Sequence, residues 1–498
     1  MARHNILLLT MDQLRWDTLS CYGAPVCQTP HLDWLAGHGV RFTQAITNTS
    51  ICTPARASLL TGYAPFRHGL LANFERNVGY PWEIPEHNRL LPSYLRPAGY
   101  VCGNVGKWHV GVERGPEYYG FQGEHIAGWA PDYEHPDYLA YLDERGLPRF
   151  STRDEVRGTF PNGKPSLPMM GVHQAPAEAT YDHYLAQRTV ETLRRYAERR
   201  DRTGDPFFLG CHFFGPHLPY FLPQEVLERY DPGLVERHPS MAETFAGKPA
   251  VHRRYNEHWA VDTYPWPVWQ RVVAAYWAYT TLIDEQIGRI LGELEALGLA
   301  QDTAVFFAAD HGGFVGNHRL ADKGPMMYDD TYRINLIARW PGVTPAGAVC
   351  DAPVTLMDLM PTFLDVAGVP VPDDLDARSL MPLLRDPEAE WPDAAFAEFH
   401  GHHFPYPQRM IRTRTHKLVV NPPDINELYD LVADPYELNN VYDHPAYRDV
   451  RRDLMTRLYR HLRQAGDNFH HWLPSMFEVE TEDDLWARRI TPRDWARK

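Results

Sequence analysis

The sequence predicts an α/β fold in which a large, mostly parallel β-sheet is sandwiched by helices and followed by a smaller α+β subdomain. Two features of the pattern predict it. Short apolar runs alternate with longer segments whose apolar residues recur at helical spacing, as in folds built from β-α-β units. Several of the short runs also end directly in polar residues, and parallel sheets bind ligands beyond the carboxyl ends of their strands.

Five short apolar runs are predicted to be buried strands. The first precedes Met11-Asp12-Gln13, and a later one ends at Asp310-His311, so both place polar side chains at the carboxyl end of a strand. The five runs cover residues 5–10, 98–105, 206–214, 303–309 and 334–340.

Helices are predicted between these strands. The longest covers residues 269–297, where apolar residues such as Tyr276 and Ile283 repeat on one face. Shorter apolar patterns at 29–39 and 356–366 predict two more helices.

The domain organisation is predicted from changes in composition along the chain. Residues 1–375 are expected to form the catalytic α/β domain. Segments rich in Gly, Pro and aromatic residues, near 110–180 and 216–266, interrupt this domain and are interpreted as insertions over the site. The second of these insertions is expected to be rich in loops.

The C-terminal part is predicted to form the α+β subdomain, at residues 395–470. Strands are expected at 417–420 and 427–431, followed by a helix at 446–465. The charged tail at 471–498 contains too few apolar residues to fold alone. We therefore expect it to pack on the body or on a second copy, which makes a homo-oligomer the expected assembly.

Composition excludes several classes of function. The chain has 498 residues and a formal net charge of -15, which argues against a nucleic-acid-binding surface. No apolar stretch approaches the roughly 20 residues of a membrane helix, and no secretory signal is visible. The six cysteines are scattered without close pairs, so neither a disulfide framework nor structural zinc is expected. We expect a cytoplasmic protein.

One cysteine lies at the predicted start of a helix. In Cys52-Thr53-Pro54-Ala55-Arg56, the proline suits a first helical turn, and Gly62 suits the end of the helix. A helix N-terminus favours anions and lowers the pKa of a thiol. From these residues alone, Cys52 is either an activated nucleophile beside Arg56 or a buried structural cysteine.

Carboxylates at strand ends form a candidate metal site. Asp12 follows the first strand, and Asp310 and His311 follow the strand at 303–309. Each carboxylate alone has the ordinary alternative of capping a helix. Together, however, they form an oxygen-rich set with one imidazole, which suits a hard or borderline divalent cation.

The segment from Cys52 to Gly62 resembles the signature of the sulfatase family, in which Cys-x-Pro-x-Arg is followed by a Thr-Gly pair. The similarity covers nearly the whole chain. The chain is therefore similar to the formylglycine-dependent sulfatases and phosphonate monoester hydrolases, and the resemblance implies an alkaline-phosphatase-like fold. Further motifs in the family's order are Asp12-Gln13, Gly106-Lys107-Trp108-His109, Gly215-Pro216-His217, Asp310-His311, Lys323 and Glu427-Leu-Tyr-Asp-Leu.

The resemblance implies a nucleophile that is made after synthesis. In the family, a formylglycine-generating enzyme oxidises the cysteine at this position, and a hydroxyl of the hydrated aldehyde attacks sulfur or phosphorus. The resemblance also implies one divalent cation, Mn²⁺ or Ca²⁺. Its expected ligands are Asp12, Cys52, Asp310 and His311.

The resemblance implies further roles in binding the transferred group. Arg56, Lys107 and Lys323 are expected to stabilise its negative charge. Asn73 is expected to contact the substrate anion, and Gln13 to bind substrate or to orient a ligand.

Two histidines are expected to move protons. The resemblance implies that His217, held between prolines, protonates the leaving oxygen. It also implies that His109 takes a proton from the modified side chain at position 52 during product release, a role that suits imidazole near neutral pH.

On this basis the expected reaction is metal-dependent hydrolysis of sulfate monoesters, with aryl or small alkyl sulfates as small anionic substrates. Gln13 replaces the family's second Asp, and His311 replaces an Asn, which favours manganese over calcium. The phosphonate monoester hydrolases share this combination, so hydrolysis of phosphonate monoesters or phosphodiesters stays open. Cys52 argues against a phosphatase with a Ser or Thr nucleophile, and the intact ligand set argues against a non-enzymatic binding protein.

The aromatic residues of the two insertions have three interpretations. They can form the wall of a pocket for an aryl group, surround a cation such as choline, or pack the lid. The residues in question are Tyr118, Tyr119, Trp129, Tyr133, Trp259 and Trp266.

Overall fold

The computed structural model describes residues 3–160 and 162–479. Its strands, in chain order, are β1 (Asn5–Met11), β2 (Val40–Phe42), β3 (Val101–Gly106), β4 (Gln122–Gly123), β5 (Thr152–Thr159), β6 (Pro165–His173), β7 (Phe207–His212), β8 (Tyr220–Pro223), β9 (Thr303–Ala309), β10 (Phe314–Val315), β11 (Ala321–Asp322), β12 (Leu336–Arg339), β13 (Ala348–Cys350), β14 (Ala394–His402), β15 (Phe404–Thr413), β16 (His416–Val420) and β17 (Glu427–Asp430).

Helices of different lengths connect these strands. They are α1 (Pro30–Gly37), α2 (Cys52–Thr61), α3 (Pro65–His68), α4 (Pro92–Leu95), α5 (Pro136–Arg145), α6 (Tyr181–Thr203), α7 (Gln224–Leu227), α8 (Ala250–Trp259), α9 (Trp266–Ala296), α10 (Asp329–Tyr332), α11 (Leu359–Ala367), α12 (Met381–Arg385), α13 (Arg448–Ala465) and α14 (Leu473–Met476).

The central sheet contains eight strands in the order β13-β2-β12-β9-β1-β7-β3-β4. Strand β12 runs antiparallel to both of its neighbours, and the other pairs of the sheet are parallel. Every residue of β1, β7 and β9 is buried, because helices cover both faces of the sheet centre. The predicted α/β fold with a mostly parallel sheet is therefore confirmed.

The five predicted strands correspond to β1, β3, β7, β9 and β12 of the central sheet. Strands β2, β4 and β13 have only two or three residues each, which is too short for a periodic pattern. The predicted helices correspond to α1, α9 and α11.

The two predicted insertions contribute to one small sheet, which has the strand order β5-β6-β8. Residues 110–180 also contain helix α5 and the antiparallel pair β5 and β6, which were not predicted. Strand β5 was not recognised because most of its residues are exposed and several are charged. A strand without a buried face lacks the alternation on which the prediction rests.

The C-terminal part forms a four-stranded antiparallel sheet, β14-β15-β16-β17, against which α13 packs. Its core includes Leu418 and Leu428 on the strands and Leu454 and Leu458 on the helix. This confirms a smaller C-terminal α+β unit, although β14 and β15 were not predicted. Residues 480–498 lie outside the described residues, so the oligomer contact through the tail at 471–498 stays a prediction.

Two further findings concern the chain as a whole. All six cysteines are unpaired. Among residues 3–160 and 162–479, no helix combines the length and apolar character that crossing a membrane requires.

A buried ionic cluster joins the C-terminal sheet to the body of the protein. Asp329, at the start of α10, accepts hydrogen bonds from Arg412 Nε at 2.9 Å and from Arg412 Nη2 at 2.6 Å. Lys417 Nζ lies 2.6 Å from Asp329 Oδ1 and 2.6 Å from Glu437 Oε1. Arg412 and Lys417 belong to β15 and β16, so one carboxylate on the body binds two strands of the smaller sheet.

We expect Asp329→Ala to lower the free energy of unfolding by about 3–5 kcal/mol, because it leaves Arg412 and Lys417 buried without this carboxylate. Urea unfolding followed by circular dichroism measures the loss. Arg457→Ala, which removes a pair with the exposed Asp393, is the control and is expected to cost at most about 1 kcal/mol. Equal losses in the two variants would contradict the importance of the cluster.

Candidate active site

The carboxyl ends of neighbouring strands bring distant polar residues together. In the central sheet β9, β1, β7 and β3 are adjacent and parallel. Asp310 follows β9, Asp12 follows β1, and Lys107 follows β3. Because parallel strands end at the same edge of a sheet, these three residues meet there, as the sequence predicts.

Helix α2 places Cys52 in this group. The helix begins at Cys52, and all ten of its residues are buried. Asn73 Oδ1 accepts a hydrogen bond from the backbone N–H of Thr53 at 3.1 Å, which satisfies one of the free N–H groups of the first turn. The helix ends at Gly62, whose φ of 72° lies in the left-handed region that glycine favours. Asn73 thus contacts the helix that carries Cys52, and its predicted contact with substrate stays a prediction.

The four predicted metal ligands lie together and are all buried. Cys52 Sγ is 3.1 Å from His311 Nε2 and 3.6 Å from Asp12 Oδ1. His311 Nδ1 lies 2.7 Å from the carbonyl oxygen of Gly312, which can only accept a hydrogen bond. With its proton on Nδ1, the neutral ring presents the lone pair of Nε2 to the group, 3.8 Å from both Asp12 Oδ1 and Asp310 Oδ1.

The charges of this group also suit a cation. Burial and the nearby charge of Asp12 raise the pKa of Asp310 to about 6. Burial lowers the pKa of His311, but Asp310 and Cys52 outweigh it and raise this pKa to about 9. The anionic neighbours therefore favour a proton on His311. A divalent cation in the group would compensate the same negative charge. Two carboxylates, one imidazole and the side chain at position 52 form a donor set that fits such an ion.

Arg56 and Lys107 hold the two carboxylates. Arg56 Nε donates to Asp310 Oδ2 at 3.0 Å, and Arg56 Nη2 donates to Asp12 Oδ2 at 3.0 Å. Lys107 Nζ lies 2.7 Å from Asp12 Oδ2 and donates to the carbonyl oxygen of Trp129 at 3.1 Å. Burial raises the pKa of Asp12, but the cations outweigh it, and the pKa falls below its usual range. The ionised form of this ligand is therefore favoured.

Gly106 determines how the chain leaves β3. Its φ is 93°, and a Cβ at this position would lie 2.2 Å from the carbonyl oxygen of His212. Only glycine fits there, and the turn that it allows directs Lys107 into the site.

His109 lies on the Cys52 side of the site. Burial and the nearby Lys107 lower its pKa to about 4, and the neighbouring Cys52 acts in the opposite direction. The ring is therefore neutral and can accept a proton from the side chain at position 52. Burial raises the pKa of Cys52. The positive charges of Lys107, Lys323 and His311 outweigh this effect and lower the pKa well below its usual value.

Lys323 and His217 form the opposite side. Lys323 Nζ lies 2.7 Å from His217 Nε2 and 3.2 Å from Asp322 Oδ1. His217 Nδ1 lies 2.6 Å from the carbonyl oxygen of Leu218, so Nδ1 carries a proton and Nε2 accepts from Lys323. Gln13 Nε2 donates to Asp322 Oδ1 at 3.1 Å, and Gln13 Oε1 lies 3.5 Å from Lys323 Nζ.

Asp322 is a residue of the site that the sequence-based prediction missed. It is buried, and Lys323 outweighs the effect of burial and lowers its pKa to about 2. Its position directly before Lys323 is the signal that was available. Asp322 orients both Gln13 and Lys323, and it keeps the ammonium group of Lys323 charged.

The aromatic residues of the insertions have different surroundings. The ring of Trp129 lies 5.6 Å from that of His217, at the mouth of the site. Tyr133 stacks on Phe150 at 3.6 Å, and Trp259 is buried. Of these three, only Trp129 has a position from which it can contact a substrate.

Comparison with known protein families agrees with this geometry. The family model "Sulfatase" matches residues 4–369, and the model "N-sulphoglucosamine sulphohydrolase, C-terminal" matches residues 316–464. The first match covers β1 to α11, which includes every predicted site residue.

Individual relatives cover nearly the whole chain. The uncharacterized sulfatase YidJ of Escherichia coli K12 is 30% identical over 486 residues, which are 95% of this chain and 90% of that protein. The N-acetylglucosamine-6-O-sulfatase of Bacteroides thetaiotaomicron is 27% identical, covering 94% of this chain and 87% of that protein. The phosphonate monoester hydrolase of Agrobacterium radiobacter is a structural neighbour with a TM-score of 0.74 and 25% identity. The match covers 93% of this chain and 96% of that protein. The predicted resemblance and alkaline-phosphatase-like fold are confirmed, and the chain belongs to the sulfatase family.

Proposed function

We propose that this protein is a metal-dependent hydrolase of sulfate monoesters whose nucleophile is formed from Cys52. The observation that carries the proposal is the position of Cys52 at the start of a fully buried helix, between His311 and His109. One histidine belongs to the candidate metal site and the other can accept a proton. A purely structural cysteine does not need this combination.

The metal belongs between Asp12, Asp310, His311 and the side chain at position 52. When bound, a divalent cation there polarises an oxygen of the ester and of the nucleophile. The nitrogen ligand His311 favours Mn²⁺ over Ca²⁺, because calcium prefers oxygen ligands.

We also propose that a formylglycine-generating enzyme oxidises the thiol of Cys52 to an aldehyde. The hydrated aldehyde supplies one hydroxyl that attacks the ester and a second that allows the bond to the enzyme to be broken again. His109 neighbours this side chain and is neutral, so it can take the proton of the second hydroxyl. A cytoplasmic location, which the scattered cysteines favour, belongs to the same proposal.

His217 and Lys323 act on the leaving group. Lys323 Nζ is the hydrogen-bond partner of His217 Nε2 at 2.7 Å. To protonate the leaving oxygen, His217 has to enter the reaction as an imidazolium that has taken a proton on Nε2 from solvent; the ammonium group of Lys323 is then released to stabilise charge on the oxygens of the transferred group. Asp322 keeps that ammonium group in place.

The relatives and the position of Trp129 support the proposed substrate class. Trp129, beside His217, can contact an aryl or small alkyl group of a sulfate ester. Two relatives are named an ulvan-active sulfatase and an N-acetylglucosamine-6-O-sulfatase, so sulfated sugars belong among the substrates to be tested. Phosphonate monoesters are the alternative, favoured by Gln13, His311 and the neighbour named a phosphonate monoester hydrolase.

We expect kcat/KM to be higher for 4-nitrophenyl sulfate than for a 4-nitrophenyl phosphonate monoester. A sulfate ester presents three non-bridging oxygens to the metal, Lys107 and Lys323, whereas a phosphonate monoester presents two. Steady-state kinetics on both compounds and on glucosamine 6-sulfate measure the preference. A higher value for the phosphonate would establish the alternative function.

We expect Cys52→Ala to abolish turnover while the fold stays intact, because the variant has no thiol to be converted into the aldehyde that carries the attacking hydroxyl. Activity assays and circular dichroism test this expectation, and Cys21→Ala is the control with unchanged activity. Intact-mass measurement of the active enzyme should show a loss of about 18 Da at position 52, the change from cysteine to formylglycine. A Cys52→Ala enzyme with wild-type rates would end the proposal.

We expect His217→Asn to lower kcat/KM for an alkyl sulfate by about 10²–10⁴-fold and to affect 4-nitrophenyl sulfate much less. The alkoxide needs a proton to leave, whereas nitrophenolate leaves without one. His38→Asn, at an exposed position beside Trp34, is the control. Equal losses on the two substrates would show that His217 is not the proton donor.

A further inference from the structure

A second group of metal-ligand residues shares no member with the site around Cys52. It consists of Glu75, two residues after Asn73 in the loop, of His402, the last residue of β14, and of His403, which lies between β14 and β15. Glu75 Oε1 is 3.2 Å from His402 Nε2 and 3.5 Å from His403 Nδ1. Three potential ligand atoms therefore converge from two parts of the chain.

The hydrogen bonds of His402 show that its Nε2 and the carboxylate oxygen Oε1 of Glu75 point lone pairs at each other. Tyr255 Oη donates its single proton to the backbone oxygen of His402 at 2.6 Å. His402 Nδ1, 3.3 Å from the same Oη, must then be the donor, so the neutral ring has its lone pair on Nε2. That lone pair points at the carboxylate oxygen Glu75 Oε1. Two acceptors at this distance repel each other unless a cation or a proton lies between them.

The geometry of the group suits a tetrahedral cation. Ligand atoms at about 2.0–2.2 Å from Zn²⁺ are separated by about 3.3–3.5 Å in a tetrahedral site. Of the two separations from Glu75 Oε1, 3.5 Å lies in this range and 3.2 Å lies just below it. The other oxygen of Glu75 accepts a hydrogen bond from the backbone N–H of His403 at 2.6 Å, which directs Oε1 toward both rings.

The directions of the pKa shifts agree with the neutral ring that the hydrogen bonds of His402 already require. Burial, together with the neighbouring His403, lowers the pKa of His402 well below its usual value. Burial lowers the pKa of His403 to about 4. Neutral imidazoles and a carboxylate are the ligand set of many zinc sites with a fourth, exchangeable position. A proton on Glu75, whose pKa is raised by burial, is the competing way to remove the repulsion.

We infer that Glu75, His402 and His403 bind a second divalent cation of the zinc class, independent of the metal at Asp12 and Asp310. This ion joins the loop after Asn73, which contacts the start of α2, to the turn between β14 and β15. It also lies close to the active site, since Asp322 and Lys323 are among the charges that act on both histidines.

The test uses the full chain with the first site disabled. Cys52→Ala/His311→Ala removes the sulfur and nitrogen ligands of that site, and chelator-treated protein is titrated with Zn²⁺ by calorimetry. We expect one Zn²⁺ per chain. Adding His403→Ala, or separately Glu75→Gln, should weaken binding by about 100-fold or more, because losing a residue that merely orients a ligand already costs about 10–100-fold.

A control and a spectrum complete the test. His135→Ala belongs to another cluster of ligand-type residues, Glu124, His135 and Asp137, which lies nearer the surface, and should leave the affinity unchanged. Co²⁺ in place of Zn²⁺ should give the visible absorption of a tetrahedral site, lost with His403→Ala. Circular dichroism confirms folding, and Glu75→Gln serves if His403→Ala does not fold. Absence of Zn²⁺ binding in the double variant, or unchanged binding after Glu75→Gln, would overturn the inference and leave the shared proton as the explanation.

Discussion

Two carboxylates of like charge, Asp12 and Asp310, are buried side by side. The arrangement of the active site depends on the groups that offset the electrostatic cost of burying these two charges together. Burial disfavours each charge, and the two charges repel each other strongly away from water. Arg56 contacts both carboxylates and Lys107 contacts Asp12, so fixed cations offset part of this cost. The raised pKa values of Asp310 and His311 show that some negative charge is still uncompensated. A bound metal ion would compensate it.

The fold was predictable where burial is complete on both faces. Strands β1, β7 and β9 are continuous apolar runs because helices cover them on each side, and such runs stand out in the sequence. The very short strands at the sheet edges and the exposed strand β5 leave no comparable pattern. Strand β15 was not predicted, because Pro405 and Pro407 interrupt the pattern in its exposed first half.

The site was predictable where a side chain follows a recognisable element. Asp12, Cys52 and Asp310 have this property, since each lies at the end of a strand or the start of a helix. Contacts that depend on the backbone or on residues far apart in the sequence leave no such pattern and were not predicted. Lys107 depends on the carbonyl oxygen of Trp129, which no side-chain pattern encodes. Glu75 meets His402 only because the C-terminal sheet packs beside the loop after Asn73.

The burial of helix α2 has a consequence for when the enzyme matures. Cys52 and the nine residues after it are all inaccessible in the folded chain. The oxidation proposed above therefore requires an enzyme to reach Cys52 before α2 docks against the sheet. Under that proposal, a chain that folds first keeps its thiol and stays inactive, and the active fraction depends on the relative rates of folding and oxidation.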